Sequence, residues 1–336
     1  MSSTVVLSWR NRTQGLFPGL LASAIVAAAA SFLSEHYHAP VMLFALLLGM
    51  AMNFLSAEGA CKPGIEFTAR EVLRVGVALL GMRITFSQIA ALGWYPVALV
   101  LISVVVTIVV AMVAARAMGF QSLFGLLTGG ATAICGASAA LALSAALPSH
   151  PGKERATLFT VIGVSALSTL AMIVYPMVVN ALHLTPSQAG VFLGGTIHDV
   201  AQVVGAGYGM SQETGDTATV VKLMRVAMLL PVIAFASMVT RARGLQDGGN
   251  RPPILPWFAV GFVLLAAVNS TGWVPVLLQN TANDLSRWCL VIAISALGMK
   301  TQLKELATVG IKPIVLMVGE TFFLALLVLL MMHWGL

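Results

Sequence analysis

The amino-acid sequence predicts an all-α polytopic membrane protein with about 9–11 membrane-embedded helices. Of its 336 residues, 59% are hydrophobic and only 9% are charged. The mean hydropathy of +0.95 is far above that of a soluble domain. Apolar runs of roughly 15–25 residues recur, and most could cross a hydrocarbon core of about 30 Å as a helix. Because they lack the period-two alternation of a membrane β-barrel, we expect helices.

The apolar runs divide residues 1–336 into up to eleven membrane-embedded segments of a single membrane domain. In chain order they are 16–33, 40–57, 72–92, 96–115, 124–147, 156–180, 187–207, 217–240, 255–269, 283–299 and 313–333. We expect the first segment to be retained, because it is long for a signal peptide and the next segment follows closely. Segments 124–147 and 187–207, the first and second glycine-rich segments, are predicted to be broken or re-entrant.

The net charge of +6 lies in short connections and at helix ends, which indicates membrane topology and not a nucleic-acid-binding surface. Three connections lack Lys and Arg: 34–40, 181–187 and 270–282. We expect them outside and the N-terminus in the cytoplasm. Full crossing by both glycine-rich segments would place Lys153 and Arg155 outside, whereas re-entry by both would place them inside. The charge rule favours re-entry without deciding it.

Two copies of one motif indicate an internal repeat. Leu80-Gly81-Met82-Arg83 recurs as Leu297-Gly298-Met299-Lys300, and Gly93 and Pro96 recur as Gly310 and Pro313, always with an offset of 217 residues. Apolar segments resemble one another readily in Leu, Val and Ala, so matching Gly, Pro and basic positions are more specific. Similar chemistry at unrelated helix ends is the alternative explanation.

The repeat predicts that its copies, around 72–117 and 289–333, run in opposite directions through the membrane. They begin in the third and tenth segments, an odd number of segments apart. We therefore expect 79–100 and 296–317 to superpose after a two-fold rotation about an axis in the membrane plane. Inverted repeats are typical of secondary transporters that bind substrate near the midplane.

The second glycine-rich segment carries ionisable residues at membrane depth. Gly194-Gly195 is followed by His198, Asp199 and Gln202. Such groups are costly in lipid and usually mark an ion or substrate path, and His titrates near neutral pH. On a regular helix His198 and Asp199 would point about 100° apart, and Gln202 would share a face with each. A hydrogen-bonded helix-packing cluster is the alternative.

Both glycine-rich segments are candidates for broken helices. Each carries a glycine pair near its start, Gly129-Gly130 or Gly194-Gly195, and glycine costs roughly 1 kcal/mol in a helix relative to alanine. An unwound membrane helix presents N–H groups to anions and C=O groups to cations. We expect 129–138 and 194–202 to be locally non-helical and to approach each other near the bilayer centre. Close helix packing is the alternative role of these glycines.

Basic and acidic side chains in two further segments complete the pattern. Lys222 and Arg225 lie three residues apart and share a helix face. An Arg in a dry site suits bidentate recognition of sulfate, sulfonate or carboxylate oxygens, although it could instead neutralise Asp199. Lys222 could simply snorkel. Glu320 either relays protons or belongs to local packing.

The candidate site is therefore defined as follows. The residues predicted to bind the substrate are Gly130, Thr132, Cys135, Gly136, Ala137, Ser138, Gly195, Thr196, His198, Gln202, Lys222 and Arg225. The residues predicted to couple protons or another ion are His198, Asp199 and Glu320. No metal or cofactor is predicted, because the three cysteines match no metal-ligand spacing.

A family resemblance rests on three motifs. Gly-Gly-Thr-Ile-His-Asp-Val-Ala-Gln at 194–202, Ala-Ile-Cys-Gly-Ala-Ser-Ala at 133–139 and Leu-Leu-Gly-Met-Arg at 79–83 resemble the YeiH (sulfate exporter) family from about residue 16 onward. The resemblance implies a carrier in the bacterial inner membrane. More distantly, the chain is similar to bile-acid/sodium symporters and other elevator-type carriers. It departs from their helix order, because the second broken element is 187–207 and only one segment follows 297–300.

These observations predict a secondary active transporter of a small inorganic or organic anion such as sulfate or a sulfonate, and the family resemblance implies export. We expect alternating access and proton coupling, with the substrate, H⁺ or Na⁺ and the lipid bilayer as partners. A sodium-coupled carrier of an organic anion and an anion channel are the alternatives, and a homodimer is left open. An intramembrane enzyme is not predicted, because Asp199 has no comparable partner acid in a glycine-rich motif and no Gly-x-Ser-x-Gly surrounds Ser138. The chain lacks a Walker motif, so ATP-driven pumping is not expected either.

Overall fold

The computed structural model describes residues 2–37, 41–147, 152–242, 257–301 and 311–335. These residues form helices and connections without a β-strand, which confirms the predicted all-α class. Five of the described helices are long and apolar enough to cross a membrane: Gly15–Tyr37, Tyr95–Ala117, Arg155–Ala181, Gln212–Ala236 and Ile311–Trp334. The chain is therefore a multi-pass membrane protein, as its composition predicted.

The structure divides into two compact units, one of residues 1–88 and 257–302 and the other of residues 89–256 and 303–336. The first unit contains α1 (Ser2–Tyr37), α2 (Val41–Ala51), α3 (Phe54–Ala57), α4 (Lys62–Phe67), a π-helical turn (Thr68–Val72), α5 (Leu73–Leu79), a 3-10 turn (Leu80–Met82), α15 (Trp257–Ser270) and α16 (Val276–Lys300). The unit boundary lies within α6 (Phe86–Ala91).

The second unit contains α7 (Tyr95–Ala117), α8 (Ser122–Ala133), α9 (Ala137–Ala146), α10 (Lys153–Ala181), α11 (Pro186–Thr196), α12 (Val200–Met210), α13 (Gln212–Ala227), α14 (Leu229–Ala242) and α17 (Ile311–Trp334). In this unit α8 packs against α7, and α11 and α12 both pack against α13. The predicted glycine-rich segments are the pairs α8–α9 and α11–α12.

Helix packing within the first unit depends on glycines of the repeated motif. A methyl group added at Gly298 of α16 would collide with the carbonyl oxygen of Leu46 in α2. One added at Gly81 would collide with the carbonyl oxygen of Phe262 in α15. The two copies of the motif thus form the same kind of close backbone contact, each with a short apolar helix.

The segment from α4 through α5 runs antiparallel to α16. Ile65 and Ala69 belong to one buried cluster with Ala296 and Met299. Further along the chain, a methyl group added at Gly76 would lie 3.1 Å from the Cβ atom of Cys289. Residue numbers therefore rise along one segment as they fall along the other.

The glycine pairs of the second unit do not themselves break the helices, which corrects the expectation that unwinding begins there. Gly129 lies inside α8 against Ala111 of α7, and Gly194 lies inside α11 against the backbone of Ala218 in α13. Their role is close helix packing. The breaks follow within a few residues, at 134–136 and 197–199.

Candidate functional site

The first break lies between α8 and α9. Its three residues are Ile134, Cys135 and Gly136. Gly136 has a φ of +64° and a ψ of −129°, a conformation that a residue with a side chain adopts only under strain. The chain resumes a helix at Ala137, and Gly136 at the N-cap position has no side chain with which to cap it. The sulfur of Cys135 instead faces the backbone N–H of Ala139 in the first turn of α9.

The second break separates α11 from α12 and leaves Ile197, His198 and Asp199 outside either helix. Asp199 caps α12, because its Oδ1 accepts a hydrogen bond of 2.8 Å from the backbone N–H of Ala201. His198 precedes α12, so it does not share a regular helix face with Gln202. That sequence-based expectation is wrong because it assumed a continuous helix.

The two breaks meet, as predicted, and His198 makes the contact. Its Nδ1 lies 2.9 Å from the carbonyl oxygen of Thr132 at the end of α8. A methyl group added at Gly136 would lie 3.6 Å from the Cβ atom of His198. The imidazole is completely buried.

Arg225 of α13 lies between the breaks with no exposed surface. Its Nε donates to the carbonyl oxygen of Ala133 at 2.7 Å, and its terminal nitrogens donate to those of Thr132 at 2.9 Å and of Gly194 and Ile197 at 3.1 Å each. One guanidinium group therefore holds the ends of both α8 and α11.

Lys222 reaches the same region from one turn earlier on α13. Its Nζ donates to the carbonyl oxygens of Ile134 at 2.7 Å and Ile197 at 2.9 Å. The side chain is 0% exposed, which excludes the snorkelling alternative. It also interacts electrostatically with Asp199.

These contacts explain why two cations are buried here. The last carbonyl groups of a helix lack intrahelical N–H partners, and the negative end of its dipole favours a nearby cation. Arg225 and Lys222 supply both the donors and the charge at two such ends. The chemical result is a positively charged centre beside the N-termini of α9 and α12.

Glu320 of α17 belongs to an adjoining polar cluster with α8. Its carboxylate accepts a hydrogen bond of 2.7 Å from Thr128 Oγ1 and one of 3.2 Å from Thr132 Oγ1. Thr321, the next residue, lies 3.0 Å from Nε2 of His198 through its hydroxyl oxygen. Thr132 thus links Glu320, through its hydroxyl, to His198, through its carbonyl.

Gln202 contacts α10 instead of the break. Its Oε1 accepts a hydrogen bond of 2.6 Å from Ser168, and its Nε2 donates one of 3.0 Å to Thr169. Ser168 also accepts from the backbone N–H of Asp199 at 3.0 Å. Gln202 therefore fastens α12 to α10.

The remaining predicted residues differ in accessibility. The buried ones are Gly130, Cys135, Gly195 and Thr196, whereas Ala137 and Asp199 are partly exposed and Ser138 is exposed. Sequence reasoning missed Thr128, Thr321, Ser168 and Thr169. The four-residue spacing of Thr128 and Thr132, and the position of Thr321 beside Glu320, were the available signals.

Comparisons with known proteins identify relatives across the chain. A family model described as "Conserved hypothetical protein 698" matches residues 18–317. UPF0324 membrane protein TauZ of Paracoccus denitrificans is 54% identical over 99% of both chains. A UPF0324 membrane protein of Chlorobaculum tepidum is 57% identical over 95% of this chain and 89% of its own length. One of Pseudomonas putida is 35% identical over 90% and 88%, respectively. No solved structure matches the chain.

Proposed function

We propose, on the premise that this chain belongs to the UPF0324 family of membrane proteins, that it is a secondary active transporter of a small anion. The observation that carries the proposal is the pair of buried basic side chains, Lys222 and Arg225, between two broken helices. Discontinuous helices at a substrate site are a recurrent feature of such transporters. Sulfate and sulfonates are the substrate class, as the family resemblance also implies.

The anion is proposed to bind at the first break, near the N-terminus of α9. The N-terminus of α12 already has the carboxylate of Asp199 as its cap, whereas the N-cap position of α9 is a glycine and no carboxylate caps that helix. Ser138, in the first turn of α9, is exposed. The first-turn N–H groups of α9 that precede Ala139, whose own N–H faces the Cys135 sulfur, and the charges of Lys222 and Arg225 together favour an oxyanion there.

Lys222 and Arg225 then act on the anion mainly through their charge. Every hydrogen bond given above for these side chains goes to a backbone carbonyl of a break. An anion beside α9 gains from their field without displacing those bonds. The other predicted binding residues shape the break, and His198, Asp199 and Glu320 are the candidates for ion coupling.

We also propose that the repeat copies are inverted. In the antiparallel pairing of the segment 62–82 with α16, a methyl group added at Gly76 would lie 3.1 Å from the Cβ atom of Cys289. Continuing this register pairs position 74 with position 291, and these two numbers differ by the repeat offset. A two-fold axis perpendicular to the helices would generate this register. Gly81 approaches the backbone of α15, and Gly298 approaches the backbone of α2. These equivalent contacts support the same symmetry, because a two-fold axis generates each contact twice.

The remaining features of the proposal come from the resemblance and the charge pattern. They are alternating access by an elevator-type movement, export through the bacterial inner membrane, a cytoplasmic N-terminus and proton coupling. Sodium coupling and an anion channel are the competing possibilities. A channel would give ion conductance at a high unitary rate, whereas a carrier would give counterflow.

Counterflow in proteoliposomes tests the proposal. Purified protein is assayed with labelled sulfate, methanesulfonate and acetate, with and without pH and sodium gradients. Ser138→Asp places a negative charge at the proposed site and is expected to reduce anion exchange at least tenfold. Ser138→Asn, of similar size but neutral, is the matched control and should retain most exchange. Equal exchange by the two variants, or no exchange of any anion by the wild type, contradicts the proposal.

A further inference from the structure

The two ring nitrogens of His198 face partners of different chemistry. Nδ1 lies 2.9 Å from the carbonyl oxygen of Thr132, which can only accept a hydrogen bond. Nδ1 must therefore carry a proton in this geometry. The contact therefore fixes the tautomer of the neutral ring. The same carbonyl oxygen accepts a second hydrogen bond from Arg225 at 2.9 Å, which occupies its other lone pair.

Nε2 instead faces a group that can either donate or accept. It lies 3.0 Å from Oγ1 of Thr321, and that oxygen also lies 2.8 Å from the carbonyl oxygen of Met317. A hydroxyl has one proton. If that proton points to Nε2, the ring is neutral. If it points to Met317, Nε2–H donates to Oγ1 and the ring is an imidazolium ion.

In both states each ring nitrogen of His198 has a hydrogen-bond partner, and no heavy atom has to move. Only the Thr321 hydroxyl has to rotate when a proton binds to Nε2. A group whose hydrogen bonds are complete in both forms can gain and lose a proton without leaving a buried polar atom unpaired, which would be costly.

We propose that His198 exchanges its proton at Nε2, and that Thr321 is the positioning residue whose hydroxyl switches between donating to His198 and accepting from it. This inference rests on the proposed function, because it assigns the proton-coupling step of the same site. The charge of His198 at the second break thereby sets the direction of the hydrogen bond that Thr321 of α17 makes with it.

Several charged or titratable groups surround His198. On the elements around the two breaks they are Cys135 between α8 and α9, Tyr175 on α10, Asp199 before α12, Lys222 and Arg225 on α13, and Glu320 on α17. An anion bound beside Ser138 would offset the positive charges among them and so favour a charged imidazole. Proton uptake should accompany anion binding, and by reciprocity anion affinity should rise as the pH falls.

Nitrogen NMR of the purified protein tests the proton site without a transport assay. Protein labelled with ¹⁵N-histidine is reconstituted in lipid nanodiscs, and the His198 signals are identified by their loss in His198→Gln. We expect Nδ1 to be protonated at high pH and Nε2 to become protonated as the pH falls. A neutral ring protonated at Nε2 instead of Nδ1 would overturn the inference.

Thr321→Val tests the positioning role, because it removes the hydroxyl and nearly preserves the shape. The titration midpoint of His198 should fall by about half a pH unit or more, because the hydroxyl bonds the charged ring more strongly than the neutral ring. Thr321→Ser should restore it. Thr107→Val is the matched control, since Thr107 is buried on α7 and its hydroxyl has no hydrogen-bond partner among the described residues. A midpoint that Thr321→Val and Thr107→Val leave equally unchanged refutes the role of Thr321.

Adding sulfate to the same samples tests the link to the anion. The midpoint of His198 should shift in the wild type and shift much less in Ser138→Asp. If sulfate leaves the wild-type midpoint unchanged, the proposed linkage is wrong. If no anion is transported in proteoliposomes while the Nδ1 and Thr321 results hold, the transport function fails and the proton site stands.

Discussion

Arg225 and Ala133 are joined by a hydrogen bond of 2.7 Å from the guanidinium Nε to the last carbonyl group of α8. The same guanidinium reaches Gly194 of α11 at 3.1 Å. A planar group with five donors can hold two helix ends at once, which a lysine cannot do with the same geometry. Arg225 therefore fixes the relative positions of the two broken helices in the second unit.

Replacing Arg225 is expected to lower the free energy of unfolding even when no substrate is present. Arg225→Gln would leave several buried carbonyl groups without donors, and we expect a loss of about 2–5 kcal/mol in the free energy of unfolding. Arg225→Lys should recover part of it. Thermal unfolding in detergent provides the measurement, with Arg70→Gln, at an exposed arginine, as the control. Equal unfolding temperatures for Arg225→Gln and Arg70→Gln would contradict this role.

Neighbouring glycines of α11 should tolerate alanine very differently. A methyl group at Gly194 would collide with the carbonyl oxygen of Ala218 and lie 2.9 Å from the Cβ atom of Val221, whereas one at Gly195 would lie 3.5 Å from Leu99. We expect Gly194→Ala to lower stability by about 1–3 kcal/mol. Gly195→Ala should be neutral or slightly stabilising, because alanine favours the helix. Similar unfolding temperatures for the two variants would show that α11 does not approach α13 this closely.

The sequence predicted the existence of the breaks and the residues around them, but not where the chain unwinds. The glycine pairs were predicted to be where each helix breaks. Gly129 and Gly194 instead lie inside helices and allow close helix packing. The unwinding occurs where Arg225 and Lys222 supply donors to the freed carbonyl groups, and those residues come from a distant part of the chain. Such tertiary compensation has no local signal.

The role of threonines was equally hidden in the sequence. Threonine in a membrane helix commonly donates to its own backbone four residues earlier, as Thr196 does to Phe192 at 2.6 Å. A sequence cannot distinguish it from Thr321, which contacts both its own backbone and His198. The prediction that His198 and Gln202 share one helix face was wrong for a related reason, because helical periodicity ends at the break.

The repeat predicts matched costs at equivalent glycines. Gly81→Ala and Gly298→Ala would each meet a backbone carbonyl oxygen, of Phe262 and Leu46 respectively. Backbone cannot yield as a flexible side chain can, so each substitution should destabilise the protein by about 1–3 kcal/mol. Gly319→Ala, with no atom within 4 Å of the added methyl group, is the control. A large cost at Gly81 with none at Gly298 would argue against equivalent packing of the copies.

The pH dependence of transport should distinguish His198 from Glu320. His198→Gln removes the ring nitrogen that is proposed above to exchange a proton, so we expect a flat pH profile of anion counterflow with some exchange retained. Glu320 accepts hydrogen bonds from Thr128 and Thr132, and the side-chain oxygen of Gln can accept in its place. We therefore expect Glu320→Gln to lose some stability while keeping the wild-type pH profile. The measurement is counterflow between pH 5 and 8, the range in which an ordinary histidine titrates. A flat profile in Glu320→Gln together with a normal one in His198→Gln would move the proton-coupling step to the carboxylate of α17.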